Sequence, residues 1–168
     1  VKNFINAKFK EEIIFTKNAT EAINLVATTF GQQNIRKGDE IIITELEHHS
    51  NYVPWHFLRE TRKAIIKFAP INEDGDIIID KLQELITSKT KIIAVTHLSN
   101  VTGTIVPIKE IVEIAHKKNI PVLVDGCQGV PHIDVDVSDL DCDFYAFSGH
   151  KVYGPTGVGI LYAKKKWL

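Results

Sequence analysis

The chain has 168 residues, of which 44% are hydrophobic and 24% are charged, and its formal net charge is −1. This length and composition are typical of one globular domain that buries a core of its own. The sequence has no basic tail or stripe and no apolar run of membrane-spanning length. It therefore predicts neither nucleic-acid binding nor a membrane segment.

The start of the chain and its cysteines lead to two further expectations. There is no methionine and the first residue is Val1, so we expect a piece of a longer protein. Cys127 and Cys142 form neither a C-x-x-C motif nor a metal-ligand pattern. We expect free thiols in a reducing, cytoplasmic environment, and core-filling roles rather than nucleophilic ones.

Helical and strand patterns alternate along the chain. The predicted helices are TEAINLVATTFG (20–31) ending at Gly31, the segment from Tyr52 to Lys63, Asp80 to Thr87 with Asp80 as its cap, and IKEIVEIAHKKN after Pro107. The predicted strands are DEIIITE (39–45), IIKFA (65–69), KIIAVTHL (91–98), VLVD (122–125) and Phe144 to Phe147. Continuous apolar runs separated by helices are typical of a mostly parallel sheet covered on both faces, which predicts an α/β fold.

Polar and ionisable side chains follow four of these strands at the point where each strand ends. They are Glu45, Glu47, His48 and His49 after the first, Ser99 and Asn100 after the third, Asp125 and Gln128 after the fourth, and Ser148, His150 and Lys151 after the fifth. Ligands of open α/β sheets bind beyond the carboxyl ends of the strands. The sequence therefore predicts that these side chains collect around one site.

The segment Asn18-Ala19-Thr20-Glu21 has two interpretations. Asn18 could be only a helix cap, with Glu21 reaching back in a capping box. The same helix start could bind a phosphate, because first-turn N–H groups and the helix dipole attract anions.

Other motifs favour simple structural roles. Adjacent His48 and His49 would point apart and have no third ligand at a suitable spacing, so no metal site is predicted. Asp125 is followed by glycine and could simply cap the turn after its strand. Ser148-Gly149-His150 lacks the G-x-S-x-G frame of a hydrolase, and the glycines after Lys151 match neither the dinucleotide fingerprint nor the P-loop.

Lys151 lies between two apparent core strands, and the sequence predicts that it is buried. A structural lysine there would be costly, whereas burial would lower the pKa of its amine and make it nucleophilic. Pyridoxal phosphate needs a lysine for its aldehyde, a carboxylate for its ring nitrogen and donors for its phosphate. Lys151, Asp125, an imidazole and the helix start at Thr20 supply this set, which predicts a pyridoxal-phosphate site.

Five segments, in order along essentially the whole chain, resemble the class V aminotransferase family, and most closely its Suf-type cysteine desulfurase and selenocysteine lyase branch. They are TEAINLVA (20–27), ELEHHSNYVPW (45–55), THLSNVTGT (96–104), VLVDGCQGVPH (122–132) and LDCDFYAFSGHKVYGPTGVGILY (140–162). The resemblance implies the large domain of fold-type I pyridoxal-phosphate enzymes, a three-layer sandwich. Residues 1–168 would be the central part of that domain, with its remainder and a small domain absent.

The resemblance implies a role for each matched residue. Lys151 would be the Schiff-base lysine, Asp125 the partner of the pyridine nitrogen, and His48 would stack on the ring. Gln128 would contact the phenolic oxygen and Asn100 would lie by the cofactor and the substrate carboxylate. The phosphate would be held by Thr20, Ser148 and His150, with the N–H of Ala19 as a further donor. Asn18-Ala19 replaces the Gly-Thr common in the family, so one phosphate-binding hydroxyl is lost.

The implied reaction converts L-cysteine to L-alanine and passes the sulfur, as a persulfide, to a sulfur-acceptor protein of iron–sulfur cluster assembly. The resemblance places the catalytic cysteine and the carboxylate-binding arginine outside this chain, so we expect no turnover by the chain alone. It also implies a homodimeric parent. Three alternatives remain open from the sequence: a selenocysteine lyase acting on L-selenocysteine, a kynureninase-like hydrolase, and a truncated fold without catalysis.

Overall fold

Residues 1–168, described by a computed structural model, form one seven-stranded sheet with helices on both faces. The strands are β1 (Ile13–Thr16), β2 (Glu40–Thr44), β3 (Ile65–Ala69), β4 (Thr90–Thr96), β5 (Val122–Asp125), β6 (Phe144–Ser148) and β7 (Gly159–Ala163). The helices are α1 (Ala19–Val26), α2 (Gln32–Asn34), α3 (Val53–Arg62), α4 (Ile79–Leu85), α5 (Ile108–His116), α6 (Gly129–His132) and α7 (Val137–Leu140). No helix combines the length and the apolar character that crossing a membrane requires.

The strand order across the sheet is β1-β7-β6-β5-β4-β2-β3. The pairs from β3 to β6 are parallel, and β7 runs antiparallel to both β6 and β1. The chain leaves β2 toward β3 on one side and continues from β4 to β6 on the other. The strand order therefore reverses between β2 and β4, and such a switch point opens a crevice at the carboxyl ends of the strands.

Two hydrophobic clusters cover the two faces of the sheet, because successive strand residues point to opposite faces. Ile41 and Ile43 of β2 pack with α1 and α3, and Trp55 is the largest side chain of that cluster. Ile42 lies in the opposite cluster, with residues of α4, α5, α6 and α7. Since both faces are covered, β2 is buried along its whole length, which explains its continuous apolar run.

The predicted mostly parallel α/β sheet is confirmed, and IIKFA and VLVD are strands with the predicted bounds. Two helix ends were predicted wrongly. The first helix does not stop at Gly31 but continues through a π-helical turn, Ala27–Gly31, into α2. Gly31 instead makes room for Leu58, whose Cδ1 would lie 2.6 Å from a Cβ at this position. Asp80 lies in the first turn of α4 rather than at its cap, which is Ile78.

Candidate active site

A cavity of about 280 Å³ lies at the carboxyl ends of β2, β4, β5 and β6. All nine cofactor-site residues predicted from the sequence line it: Ala19, Thr20, His48, Asn100, Asp125, Gln128, Ser148, His150 and Lys151. They come from five separate segments of the chain. The structure thus brings together residues as much as 132 positions apart, Ala19 and Lys151 being the most distant pair.

The start of α1 forms one wall of the cavity. Asn18 caps the helix, its Oδ1 accepting the Glu21 N–H at 2.8 Å. The predicted capping box is incomplete, because the Glu21 carboxylate reaches past the cap to the N–H of Lys17. The Ala19 N–H donates to Ser148 Oγ at 2.9 Å, which joins the helix start to the end of β6. An N–H donor, two hydroxyls and a helix N-terminus therefore meet at this wall, as anion binding requires.

The close approach of α1 to the sheet depends on Gly159, the first residue of β7. A Cβ atom on Gly159 would overlap the backbone of Asn18. In the same region Gly159 pairs with Ser148 across the β6–β7 ladder. A residue with a side chain at position 159 would push the helix start away from Ser148.

His48 precedes a 3-10 turn, His49–Asn51, that follows β2. The Nδ1 atom of His48 accepts the Ser50 N–H at 3.2 Å and lies 3.0 Å from Ser50 Oγ. That hydroxyl is also 2.8 Å from Thr20 Oγ1. Ser50 therefore connects the histidine to the start of α1 and lines the cavity itself.

Asp125 ends β5 and is buried. Its Oδ1 accepts the Cys127 N–H at 3.0 Å, so the turn predicted from Asp-Gly is also present. Burial raises the pKa of this carboxyl, while the charges of His48 and Lys151 act in the opposite direction. Another positively charged group in the cavity would further favour the ionised form of Asp125.

Lys151 lies in a 3-10 turn, Gly149–Val152, that follows β6. The prediction that this lysine is buried is wrong, because it is exposed at the mouth of the cavity. The buried strand ends at Ser148, and the turn carries the next residues out of the sheet. The turn is closed by a hydrogen bond from the Gly154 N–H to the Gly149 carbonyl, with Tyr153 left-handed at φ 61°.

Five further cavity residues were not predicted as site residues. They are Asn18, Ser50, Thr96, Leu98 and Cys127. Cys127 was predicted to fill the core, but it is only partly buried and its Sγ lies 4.0 Å from Ser148 Oγ. Burial raises the pKa of its thiol to about 12, and the nearby Asp125 adds to this shift. The only feature of the sequence that places Cys127 at the site is its position two residues after Asp125. For Ser50 it is the position two residues after His48.

The family profile described as aminotransferase class-V matches residues 1–168. The chain belongs to the class-V aminotransferase family. A probable cysteine desulfurase from Halalkalibacterium halodurans is 52% identical over 168 residues, which are the whole of this chain and 41% of that protein. This chain thus spans less than half the length of that relative.

Solved structures of similar proteins share the fold. The crystal structure of the cysteine desulfurase CsdA from Escherichia coli superposes with a TM-score of 0.97 at 42% identity, over 99% of this chain and 42% of that one. The structure of SspA in complex with cysteine superposes with a TM-score of 0.91 at 30% identity, over 98% of this chain and 47% of that one.

Class-V family membership implies pyridoxal phosphate as the cofactor, and the cavity fits that group in its donor set. A buried carboxylate, Asp125, and an exposed amine, Lys151, line the same cavity. Anion donors lie at the wall formed by α1 and Ser148. The cavity thus offers the charge, the hydroxyls and the helix N-terminus that a phosphate monoester with a basic ring nitrogen requires.

Proposed function

We propose that this chain supplies the cofactor site of a pyridoxal-phosphate-dependent cysteine desulfurase. The net reaction transfers the sulfur of L-cysteine to an enzyme thiol as a persulfide and releases L-alanine. The observation that carries the proposal is the convergence of Lys151, Asp125 and His48 on one cavity with the start of α1. Its support from comparison is the family membership and the 52% identity to a probable cysteine desulfurase.

Different cavity residues would bind different groups of the cofactor. Thr20, Ser148, His150 and the Ala19 N–H would bind the phosphate, and Asp125 would hold a proton on the ring nitrogen. His48 would lie against the ring, with Gln128 at the phenolic oxygen and Asn100 beside the substrate carboxylate. When bound, the cofactor supplies an electron sink that makes the α-hydrogen of an amino acid acidic.

Lys151 and His48 are the proposed catalytic residues. Lys151 would bind the cofactor aldehyde through Nζ and later take up the α-proton of the substrate at the same atom. Its exposure at the cavity mouth leaves Nζ free to move between these two tasks. Neither Cys127 nor Cys142 is the sulfur acceptor in this proposal, because burial raises the pKa of both thiols and keeps them protonated.

We propose further that residues 1–168 are the central part of a larger pyridoxal-phosphate-binding domain. The complete protein would be a cytoplasmic homodimer that delivers sulfur to an acceptor protein of iron–sulfur cluster assembly. L-Selenocysteine is the alternative substrate. Parallel assays of the full-length protein with L-cysteine and L-selenocysteine distinguish the two, by comparing kcat/KM for sulfide and selenide release.

The cofactor proposal is tested by incubating the chain with pyridoxal phosphate, reducing with borohydride and mapping the labelled peptide. We expect weak, reversible binding and label at Lys151, because the open cavity leaves the attachment accessible to water. Lys164, which follows β7 at the end of the sheet opposite the cavity and is bound to Asp141, provides an internal control that should stay unlabelled. Label on a lysine other than Lys151 contradicts the site assignment, and cysteine-dependent sulfide release by this chain alone contradicts its proposed incompleteness.

A further inference from the structure

Glu47 lies at the switch point of the sheet and has no role in the proposed reaction. Its side chain spans the ends of β2 and β4. The carboxylate accepts hydrogen bonds from Thr44 Oγ1 at 2.5 Å, from the Thr96 N–H at 2.9 Å and from Asn51 Nδ2 at 2.6 Å. The residue is partly exposed, but these three partners show that its carboxylate faces inward.

The partners of Glu47 are themselves buried. Thr44, Asn51 and Thr96 are at most 7% exposed, so none can replace a lost acceptor with bulk water. Asn51 continues the network, because its Oδ1 accepts the indole N–H of Trp55 at 3.1 Å. Since a buried donor without an acceptor is costly, every group in this chain of contacts is fixed in one orientation.

The network joins the two elements that carry the cofactor-facing side chains. His48 directly follows Glu47, and Asn51 ends the 3-10 turn that His48 begins. On the other side, Thr96 pairs with Asp125 in the β4–β5 ladder. The Glu47 carboxylate is therefore a direct bridge between the turn of His48 and the strand beside Asp125.

We propose that Glu47 is a positioning residue that fixes the His48 ring over the cavity, at a set distance from Asp125. The inference rests on the proposed function, because that function gives the His48 ring a cofactor to face. Glu47 itself does not line the cavity and acts through its hydrogen bonds with Asn51 and Thr96.

The polarity of the Glu47–Asn51 contact gives a sharp test. In Glu47→Gln the new amide group must face either the Asn51 amide or the Thr96 N–H, and donor would then meet donor. In the double variant Glu47→Gln/Asn51→Asp, the glutamine amide donates to the new carboxylate, which still accepts from Trp55. Above about pH 8, where Glu47 is ionised, the double variant restores every hydrogen bond and the original net charge. Glu45→Gln is the matched control, because Glu45 is an exposed neighbour on the same segment.

Two measurements follow the position of His48. In the chain without cofactor, NMR reports the contacts of the His48 ring with Ser50, and the Trp55 indole N–H signal reports the network. In the full-length protein, titration with pyridoxal phosphate gives the cofactor affinity, and the visible absorption of the bound form reports its surroundings. Thermal unfolding of each variant separates loss of fold from loss of position.

We expect Glu47→Gln to weaken or lose the NMR contacts of His48 and to reduce cofactor affinity about tenfold. The double variant should regain both, with affinity within about twofold of the original protein, and Glu45→Gln should change neither. Unchanged His48 contacts in a folded Glu47→Gln overturn the proposal, as does a double variant that fails to restore them or to fold. If the original protein binds no pyridoxal phosphate, the proposed function fails, while the NMR contacts still decide the role of Glu47.

Discussion

Lys151 and Asp125 line the same cavity but differ in their exposure to solvent. Asp125 is buried at the end of a strand, whereas Lys151 is exposed on a turn. Burial raises the pKa of Asp125, and the charges of His48 and Lys151 offset part of that effect. A protonated ring nitrogen beside Asp125 would add a further favourable charge, so cofactor binding and ionisation of Asp125 should support each other.

Replacing Asp125 tests this charge relation. In the full-length protein we expect Asp125→Ala to lower cysteine-dependent sulfide release by about a hundredfold or more, because the ring nitrogen loses its charge partner. Asp125→Glu should recover a small part of the activity. Borohydride trapping at Lys151 should persist in Asp125→Ala, since the lysine is intact. Near-normal turnover in Asp125→Ala would contradict the role proposed for this carboxylate.

At the scale of single elements, short turns rather than long helices set the positions of the site residues. The turn after β6 carries Lys151, and the turn after β2 carries His48. The sequence predicted which strands these turns follow, because polar residues come directly after the apolar runs. It did not predict that Lys151 is exposed, since the direction of a 3-10 turn depends on tertiary hydrogen bonds such as that from the Gly149 N–H to the Val158 carbonyl.

Gly159 provides a test at the level of elements. Gly159→Ala should destabilise the protein strongly and weaken pyridoxal-phosphate binding, because the new Cβ would overlap the Asn18 backbone and move α1 away from Ser148. Overpacking of this kind costs about 1–3 kcal/mol. Urea unfolding and cofactor titration measure the two effects.

The control for this substitution is Gly38→Ala. Gly38 has φ of +83°, but a Cβ there meets no atom within 4 Å. It should therefore cost only the strain of a left-handed alanine, about 1 kcal/mol, and leave cofactor affinity unchanged. If Gly159→Ala binds the cofactor as tightly as Gly38→Ala does, the close approach at Gly159 is not required for the site.

At the scale of the whole molecule, the sequence predicted the class of sheet but not the hydrogen bonds that join its distant segments. The unbroken apolar run of β2 predicts a strand covered on both faces, and that is where β2 lies. The bridge from Glu47 to the Thr96 N–H joins residues 49 positions apart. No local pattern marks such a contact, because it depends on β2 and β4 being neighbours at the switch point.

Buried ionisable groups also shape the stability of the whole chain. Burial raises the pKa of Glu47 to about 8, and the nearby Asp125 charge adds to the shift. Burial lowers the pKa of His97, whose Nδ1 lies 2.8 Å from the Tyr145 hydroxyl, to about 4. Each value differs from that of the unfolded chain, so each group makes stability depend on pH.

The two groups act in different pH ranges. As pH falls through about 8, native Glu47 binds a proton that the unfolded chain does not bind until about pH 4.5, so stability rises. As pH falls below about 6.5, the unfolded chain protonates His97 while the native protein does not until about pH 4, so this group lowers stability and opposes the contribution of Glu47. Asp125, whose pKa is also raised by burial, acts in the same direction as Glu47.

The free energy of unfolding should therefore rise as pH is lowered from about 8 toward 6.5, with a slope of up to about 1.4 kcal/mol per pH unit. Urea unfolding over a pH series measures this slope. In Glu47→Gln the rise should become shallower, because position 47 no longer titrates. Below about pH 6.5 the variant should lose stability more steeply than the original protein, because Glu47 no longer offsets His97. Comparing slopes rather than absolute stabilities removes the separate cost of the mismatched amide. An unchanged slope between pH 8 and 6.5 in Glu47→Gln would show that another group binds the proton.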